Sequence, residues 1–129
     1  EFLYTEFDWR IGILSKTPVY ASKYFMSKKH WQIYNHGDRG RVDSGLCETI
    51  PVEEAPEEVV KTALKAANLI GDGLYGVDLK HTEKGVVVIE VNDNPSIDSG
   101  VEDIILKDEL YRIILQDFIH RIENMKKNR

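Results

Sequence analysis

Along residues 5–14, TEFDWRIGIL, apolar and polar side chains alternate. Phe7, Trp9, Ile11 and Ile13 fall to one side, and Glu6, Asp8, Arg10 and Gly12 to the other. A period of two predicts a strand with one buried face. SKTP reads as a turn and VYASKYFM as the returning strand. Residues 27–45, polar and glycine-rich, read as a long loop, and LCETIP (46–51) as a short strand. The period then changes. In EAPEEVVKTALKAANLIGDG, the residues Val59, Val60, Ala63, Leu64, Ala67 and Ile70 recur at helical spacing. Pro56 stands near the first turn, acidic residues follow it, and Gly71 is the stop. LYGVDLKHT and VVVIEVN are two further strands joined by EKG. After PSIDSG a last helix over about 103–126 presents Ile104, Ile105, Ile113, Ile114, Phe118 and Ile122 toward a core. The expected fold class is α+β, an antiparallel β-sheet with two main helices packed on one face. Residues 1–129 read as a single domain without internal repeats.

One strand breaks its own pattern. VVVIEVNDNP (86–95) is a run suited to a buried strand, yet Glu90 interrupts it and Asn92, Asp93 and Asn94 follow. If Glu83-Lys84-Gly85 forms a three-residue loop, Thr82 lies opposite Val86, Asp78 opposite Glu90 and Gly76 opposite Asn92. Val77, Leu79, Val87, Ile89 and Val91 then share the other face, where a helix can cover them. Two opposed carboxylates destabilise a sheet unless a cation lies between them. Mg²⁺ takes oxygen ligands and keeps positions for water and phosphate. Asp78, Glu90 and the amide oxygen of Asn92 form such a partial set, and Gly76 leaves space beside it. A plain salt-bridge face, with Lys80 neutralising Asp78 and Glu90, accounts for the same residues.

The first hairpin carries the opposite charge. An even-numbered loop between Leu14 and Val19, or Ser15 and Pro18, sets Arg10 opposite Lys23. Two opposed cations repel, and an anion between them relieves this. Arginine offers a planar fork to phosphate oxygens where lysine offers a point charge. Local pairing of Asp8 and Glu6 with both cations is the structural alternative. Taken together, the two hairpins suggest a site for a metal–polyphosphate.

Composition narrows the choice. With 42% apolar and 30% charged residues the chain reads as globular, and its net charge of −5 gives no basic footprint for nucleic acid. No apolar run approaches the roughly 20 residues of a membrane span. The lone cysteine, Cys47, cannot form an internal disulfide, so the expected compartment is the cytoplasm. Cys47 lacks a paired base nearby in sequence and reads as core filling. His30, His36, His81 and His120 lack metal-ligand spacing. Arg39 and Arg41 are either solvated or able to close over an anion, and Trp31 and Tyr34 read as loop packing.

The segment GLYGVDLKHTEKGVVVIEVNDNPSIDSGVED (73–103) resembles the end of an ATP-grasp ligase. In that superfamily an Asp on one strand and a Glu-x-Asn on the next hold Mg²⁺ (or Mn²⁺) against ATP phosphates, which implies Asp78, Glu90 and Asn92 here. TEFDWRIGIL resembles the D-x-R strand, whose arginine, here Arg10, contacts the transferred phosphoryl group, with Lys23 as its expected helper. EFL resembles the linker whose backbone meets adenine, implying Glu1, Phe2 and Leu3. The subgroup most similar is that of RimK-like and glutathione-synthetase-like ligases. The resemblance implies ATP, a carboxylate donor and an amine acceptor as partners, with no nucleic acid and no membrane. One departure is NDNPSIDSG, in which Gly100 is displaced from the usual N-x-S/N-P-G. In the family a glycine-rich phosphate loop and a phosphate-binding lysine come ahead of the segment that EFL resembles, so the expected unit is the C-terminal half of an ATP-grasp module. A non-catalytic nucleotide-, metal- or partner-binding module with a relic site stands as the alternative.

Overall fold

A computed structural model describes residues 1–26 and 47–129 of the protein. Its strands are β1 (Phe7–Leu14), β2 (Thr17–Phe25), β3 (Cys47–Ile50), β4 (Leu74–Thr82) and β5 (Gly85–Asn92). The helices are α1 (Glu57–Ile70) and α2 (Asp108–Lys127), with a 3-10 turn at Val52–Glu54 ahead of α1. The strands form one antiparallel sheet in the order β3-β2-β1-β4-β5. The long loop expected over 27–45, with His30, Trp31, Tyr34, His36, Arg39 and Arg41, lies outside the described residues. No helix among the described residues is long and apolar enough to cross a membrane.

The alternation in β1 sorts its side chains as the sequence pattern requires. Trp9, Ile11 and Ile13 join Ala21, Val77 and Leu79 in a cluster closed by Val59, Ala63 and Ala67 of α1. Burying such a side chain contributes about 1.5–3 kcal/mol, so this face supplies most of the stability. The alanines at 63 and 67 let the α1 backbone lie close to the sheet. Ile70, expected in the same stripe, is the last residue of α1 and is 62% exposed.

The antiparallel sheet and its two helices stand as expected, but the helices do not share a face. Leu110 and Ile114 of α2 pack with Leu14, Val19 and Tyr20, and Leu14 belongs to the Arg10 side of β1. The last helix also starts later than expected, at Asp108, which leaves Ile104 and Ile105 exposed. Phe118 and Ile122 are exposed as well, at 41% and 53%. Beyond Ile114 polar bonds hold the helix. Ser15 donates to Asp117 at 2.6 Å, and Arg121 donates to Asp117, to Ser15 Oγ and to the Asp72 carbonyl.

Both hairpins turn on two residues and then shift register at a bulge. In the first, Ser15 and Lys16 adopt positive φ (47° and 66°), the twist favoured between antiparallel strands. Leu14 pairs with Thr17, and an irregularity between Gly12 and Ile13 then sets Gly12 against Tyr20. In the second, Thr82 pairs with Gly85, so the loop is Glu83-Lys84 rather than three residues. A shift between Asp78 and Leu79 restores Asp78 opposite Glu90 and Gly76 opposite Asn92. Between the turn and that shift, Val88 rather than Val87 or Ile89 pairs with Leu79. Val87 and Ile89, expected beneath a helix, are therefore 40% and 51% exposed.

Gly12 is the most tightly enclosed of the described glycines. A Cβ there would meet the Tyr20 ring at 2.2–2.6 Å, against the side of a well-buried aromatic. Gly12→Ala should destabilise the protein by about 1–3 kcal/mol, the scale of overpacking. Urea unfolding measures this, and adding Tyr20→Leu should return part of the loss. An unchanged midpoint in Gly12→Ala would mean that the ring is free to move aside.

Candidate functional site

The face opposite α1 carries the charged residues in rows that follow strand register. Thr49, Ser22, Arg10, Asp78 and Glu90 stand side by side across all five strands. In the neighbouring row Tyr24 pairs with Asp8, and in the next Tyr20, Gly12, Gly76 and Asn92 line up.

Arg10 and Asp78 sit at the centre. Arg10 donates from Nε to Asp78 Oδ1 at 2.8 Å and from Nη2 to Oδ2 at 3.1 Å, a bidentate pair with both side chains partly buried. The hydrogen bond to Asp78 raises the Arg10 pKa further above its ordinary value. Tyr24 lies beneath, its ring centroid 4.5 Å from Arg10 Cζ, within cation–π range. The Tyr24 hydroxyl donates to Glu102, which is 2% exposed. Burial first, and that bond second, push the Tyr24 pKa well above the ordinary phenol range. Burial likewise raises that of Tyr20, whose hydroxyl has no hydrogen-bond partner among the described residues.

The opposed carboxylates expected from the sequence are therefore present, but Arg10, from the adjoining strand, neutralises Asp78. The proposed salt bridges of Lys80 with Asp78 and Glu90 do not form. Lys80 Nζ instead bonds Asp8 Oδ1 at 2.6 Å and Thr5 Oγ1 at 3.0 Å. Asp8 thus serves Lys80, not Arg10.

Lys23 is not opposite Arg10. The bulge places Ser22 there and pairs Lys23 with Trp9, on the α1 side of the sheet. Its ammonium lies 5.4 Å and 5.6 Å from the ring centroids of Phe7 and Trp9 and 3.5 Å from Glu48. It cannot share an anion with Arg10 from that side.

Glu90 is exposed, and among the described residues no cation pairs with it. Asn92 Oδ1 accepts the Asn94 backbone N–H at 2.9 Å, which fixes the turn after β5. The room left by Gly76 is filled by Pro95, whose Cβ would lie 2.9 Å from an added Cβ. Glu1, Phe2 and Leu3 precede β1, with Phe2 69% exposed. Cys47, expected as core filling, is only half-buried, and burial pushes its thiol pKa up. His81 stands at the edge of the apolar face, 3.6 Å from Glu58.

Two carboxylates and an amide suit a hard divalent cation that fills its remaining positions with water and phosphate oxygens. Among the described residues no group of three or more His, Cys, Asp or Glu side chains is placed to hold a metal. The set is thus partial, and a tightly held ion would need ligands from elsewhere. Sequence patterning missed Tyr24 and Glu102. Alternation along β2 puts Tyr24 on the Ser22 face and could have found it, whereas the approach of Glu102 depends on the path of the segment after β5.

Known proteins resemble the chain in sequence and in fold. A family model described as RimK-like ATP-grasp domain matches residues 39–114. The chain is 37% identical over 100 residues to the tetrahydromethanopterin:alpha-L-glutamate ligase of Methanocaldococcus jannaschii, covering 76% of this chain and 31% of that protein. It spans about a sixth to a third of the length of the curated relatives it matches. Among solved structures, the ATP complex of D-alanine–D-alanine ligase from Bacillus anthracis aligns with a TM-score of 0.61 at 14% identity, over 95% of this chain and 43% of that one. The ATP-grasp ligase PsnB, complexed with a precursor variant, Mg and ADP, aligns at 0.53 with 21% identity, over 89% and 34%.

The central pair and the outer carboxylate should respond oppositely to neutralisation. Asp78→Asn leaves Arg10 without its counter-charge and should cost about 1.5–3 kcal/mol, the scale of hydrogen bonds to charged groups. Glu90→Gln removes a like-charge neighbour of Asp78 and should be neutral, or stabilising by up to about 1 kcal/mol, in metal-free buffer. Chemical denaturation of both variants checks the sign. A large loss in Glu90→Gln would make that residue structural.

Proposed function

The chain belongs to the RimK-like ATP-grasp domain family, and from that premise we propose that it is the C-terminal half of the ATP-grasp module of an ATP- and Mg²⁺-dependent carboxylate–amine ligase. The observation that carries the reading is the Arg10–Asp78–Glu90 row on an otherwise well-packed sheet. The intact row of Arg10, Asp78 and Glu90 favours an enzyme over a non-catalytic module.

In the proposed reaction a substrate carboxylate oxygen attacks the γ-phosphorus of ATP, and the bond to the ADP oxygen breaks. An amine then adds to the acyl carbon of the resulting acylphosphate, loses a proton, and expels phosphate to leave an amide. Asp78, Glu90 and Asn92 would hold Mg²⁺ (or Mn²⁺), which when bound neutralises phosphate charge. Arg10 supplies a fixed cationic fork for the oxygens of the moving phosphoryl group. Because its Nε and Nη2 are engaged by Asp78, the anion either uses the remaining N–H donors or displaces the carboxylate. Glu1, Phe2 and Leu3 are proposed to offer backbone contacts to adenine. The glutamate ligase relative suggests an amino acid, with glutamate foremost, as one of the joined groups. The proposed compartment is the cytoplasm, on the strength of the single cysteine.

Catalysis of this kind rests on positioning and electrostatics. In the full-length ligase, Arg10→Lys keeps the charge and loses the fork, and should lower turnover by about a hundredfold or more. The KM for ATP should change far less. ADP release at saturating ATP with amino-acid acceptors is the measurement. Wild-type turnover in Arg10→Lys would remove Arg10 from the reaction.

A further inference from the structure

Glu102 is a buried carboxylate outside the sheet that the reaction above does not use. At 2% exposure such a charge is costly unless bonded. Two donors meet it: the Tyr24 hydroxyl at Oε1, and the Asp98 backbone N–H at Oε2, 2.9 Å away. Tyr24 is thereby held at both ends, by β2 at its Cβ and by Glu102 at its hydroxyl. Its ring is the surface on which the Arg10 guanidinium rests. The two hydrogen bonds that Arg10 donates to Asp78 hold the guanidinium on one side, and the Tyr24 ring lies against it, its centroid 4.5 Å from Cζ.

We propose that Tyr24 and Glu102 are positioning residues for Arg10, which tie its guanidinium to the segment following β5. The consequence for turnover rests on the role given to Arg10 above, whereas the positioning does not. Asp78 has two demands on it, one from Arg10 and one from a metal. If the carboxylate turns toward a cation, Tyr24 is the contact that keeps Arg10 in place. The Glu102 carboxylate also anchors the Asp98 backbone, three residues beyond Pro95, which packs against Gly76. Arg10 and the covering segment are thus set by one buried group. A phenol is protonated at neutral pH, so the Tyr24 hydroxyl stays a donor to Glu102, and burial raises its pKa further.

The test uses the full-length protein with arginine-selective ¹⁵N labelling, the Arg10 Nε–H signal being identified by its loss in Arg10→Lys. Tyr24→Phe keeps the ring and removes its tether, and Glu102→Gln removes the charge that accepts it. Each should speed exchange of the Arg10 Nε–H with water severalfold, and the double variant should be no faster than either single. ADP release should fall about tenfold in both singles with little change in the KM for ATP, and further in Tyr24→Leu, which removes the ring. Where Glu102→Gln does not fold, Tyr24→Phe alone decides. Unchanged Nε–H exchange in Tyr24→Phe overturns the proposal. Faster exchange with wild-type ADP release upholds the positioning and removes Arg10 from the reaction instead.

Discussion

A cation and an anion locked together across β1 and β4 are what the polar face of this sheet is built around. Partly buried charges must be paired and further bonded to be tolerated. Arg10 and Asp78 meet that demand through two nitrogens, and their surroundings follow from it. Tyr24 lies beneath the guanidinium, and its hydroxyl donates to the Glu102 carboxylate. With Asp78 taken, Lys80 turns to Asp8 and Thr5 in the adjoining row. Only at the outer strand, where solvent reaches Glu90, does a carboxylate stand beside the pair without a cation of its own among the described residues.

The two faces divide stability from chemistry. On one side α1 closes an apolar cluster with branched aliphatics from β1 and β4 and small residues from its own stripe. On the other, α2 reaches only the hairpin end, through Leu110 and Ile114, and leaves the middle of the sheet to polar groups. Had both helices packed on one face, as the sequence pattern suggested, the opposite side would lack the apolar cluster that seals its turn end.

Strands, helices and the facing of β1 were legible because burial imposes a period that the residues must obey. Registers were less so. In the second hairpin a three-residue loop was expected, and the shorter loop followed by a bulge reaches the same pairing of Asp78 with Glu90. Two departures cancelled there. In the first hairpin the turn moved the register by two residues and the bulge restored only one, so Lys23 fell to the α1 side and Ser22 took its place beside Arg10. A bulge adds one residue without altering composition, and hydrophobic alternation does not register it until the facing has changed. The bond from Arg10 to Asp78 links residues 68 apart, and the hairpin registers and the resemblance named both residues without pairing them. No local pattern announces which strands become neighbours.

The order of the strands has a consequence for how the site comes into being. The β1–β2 and β4–β5 pairs are local hairpins, whereas β1 meets β4 only across a long intervening segment. Closing that loop has an entropic cost that must be met before the contacts can repay it. Arg10 belongs to one hairpin and Asp78 to the other, so neither possesses the site by itself. The ion pair comes together at the seam where the hairpins dock, and a partly folded chain with both hairpins intact would still lack it.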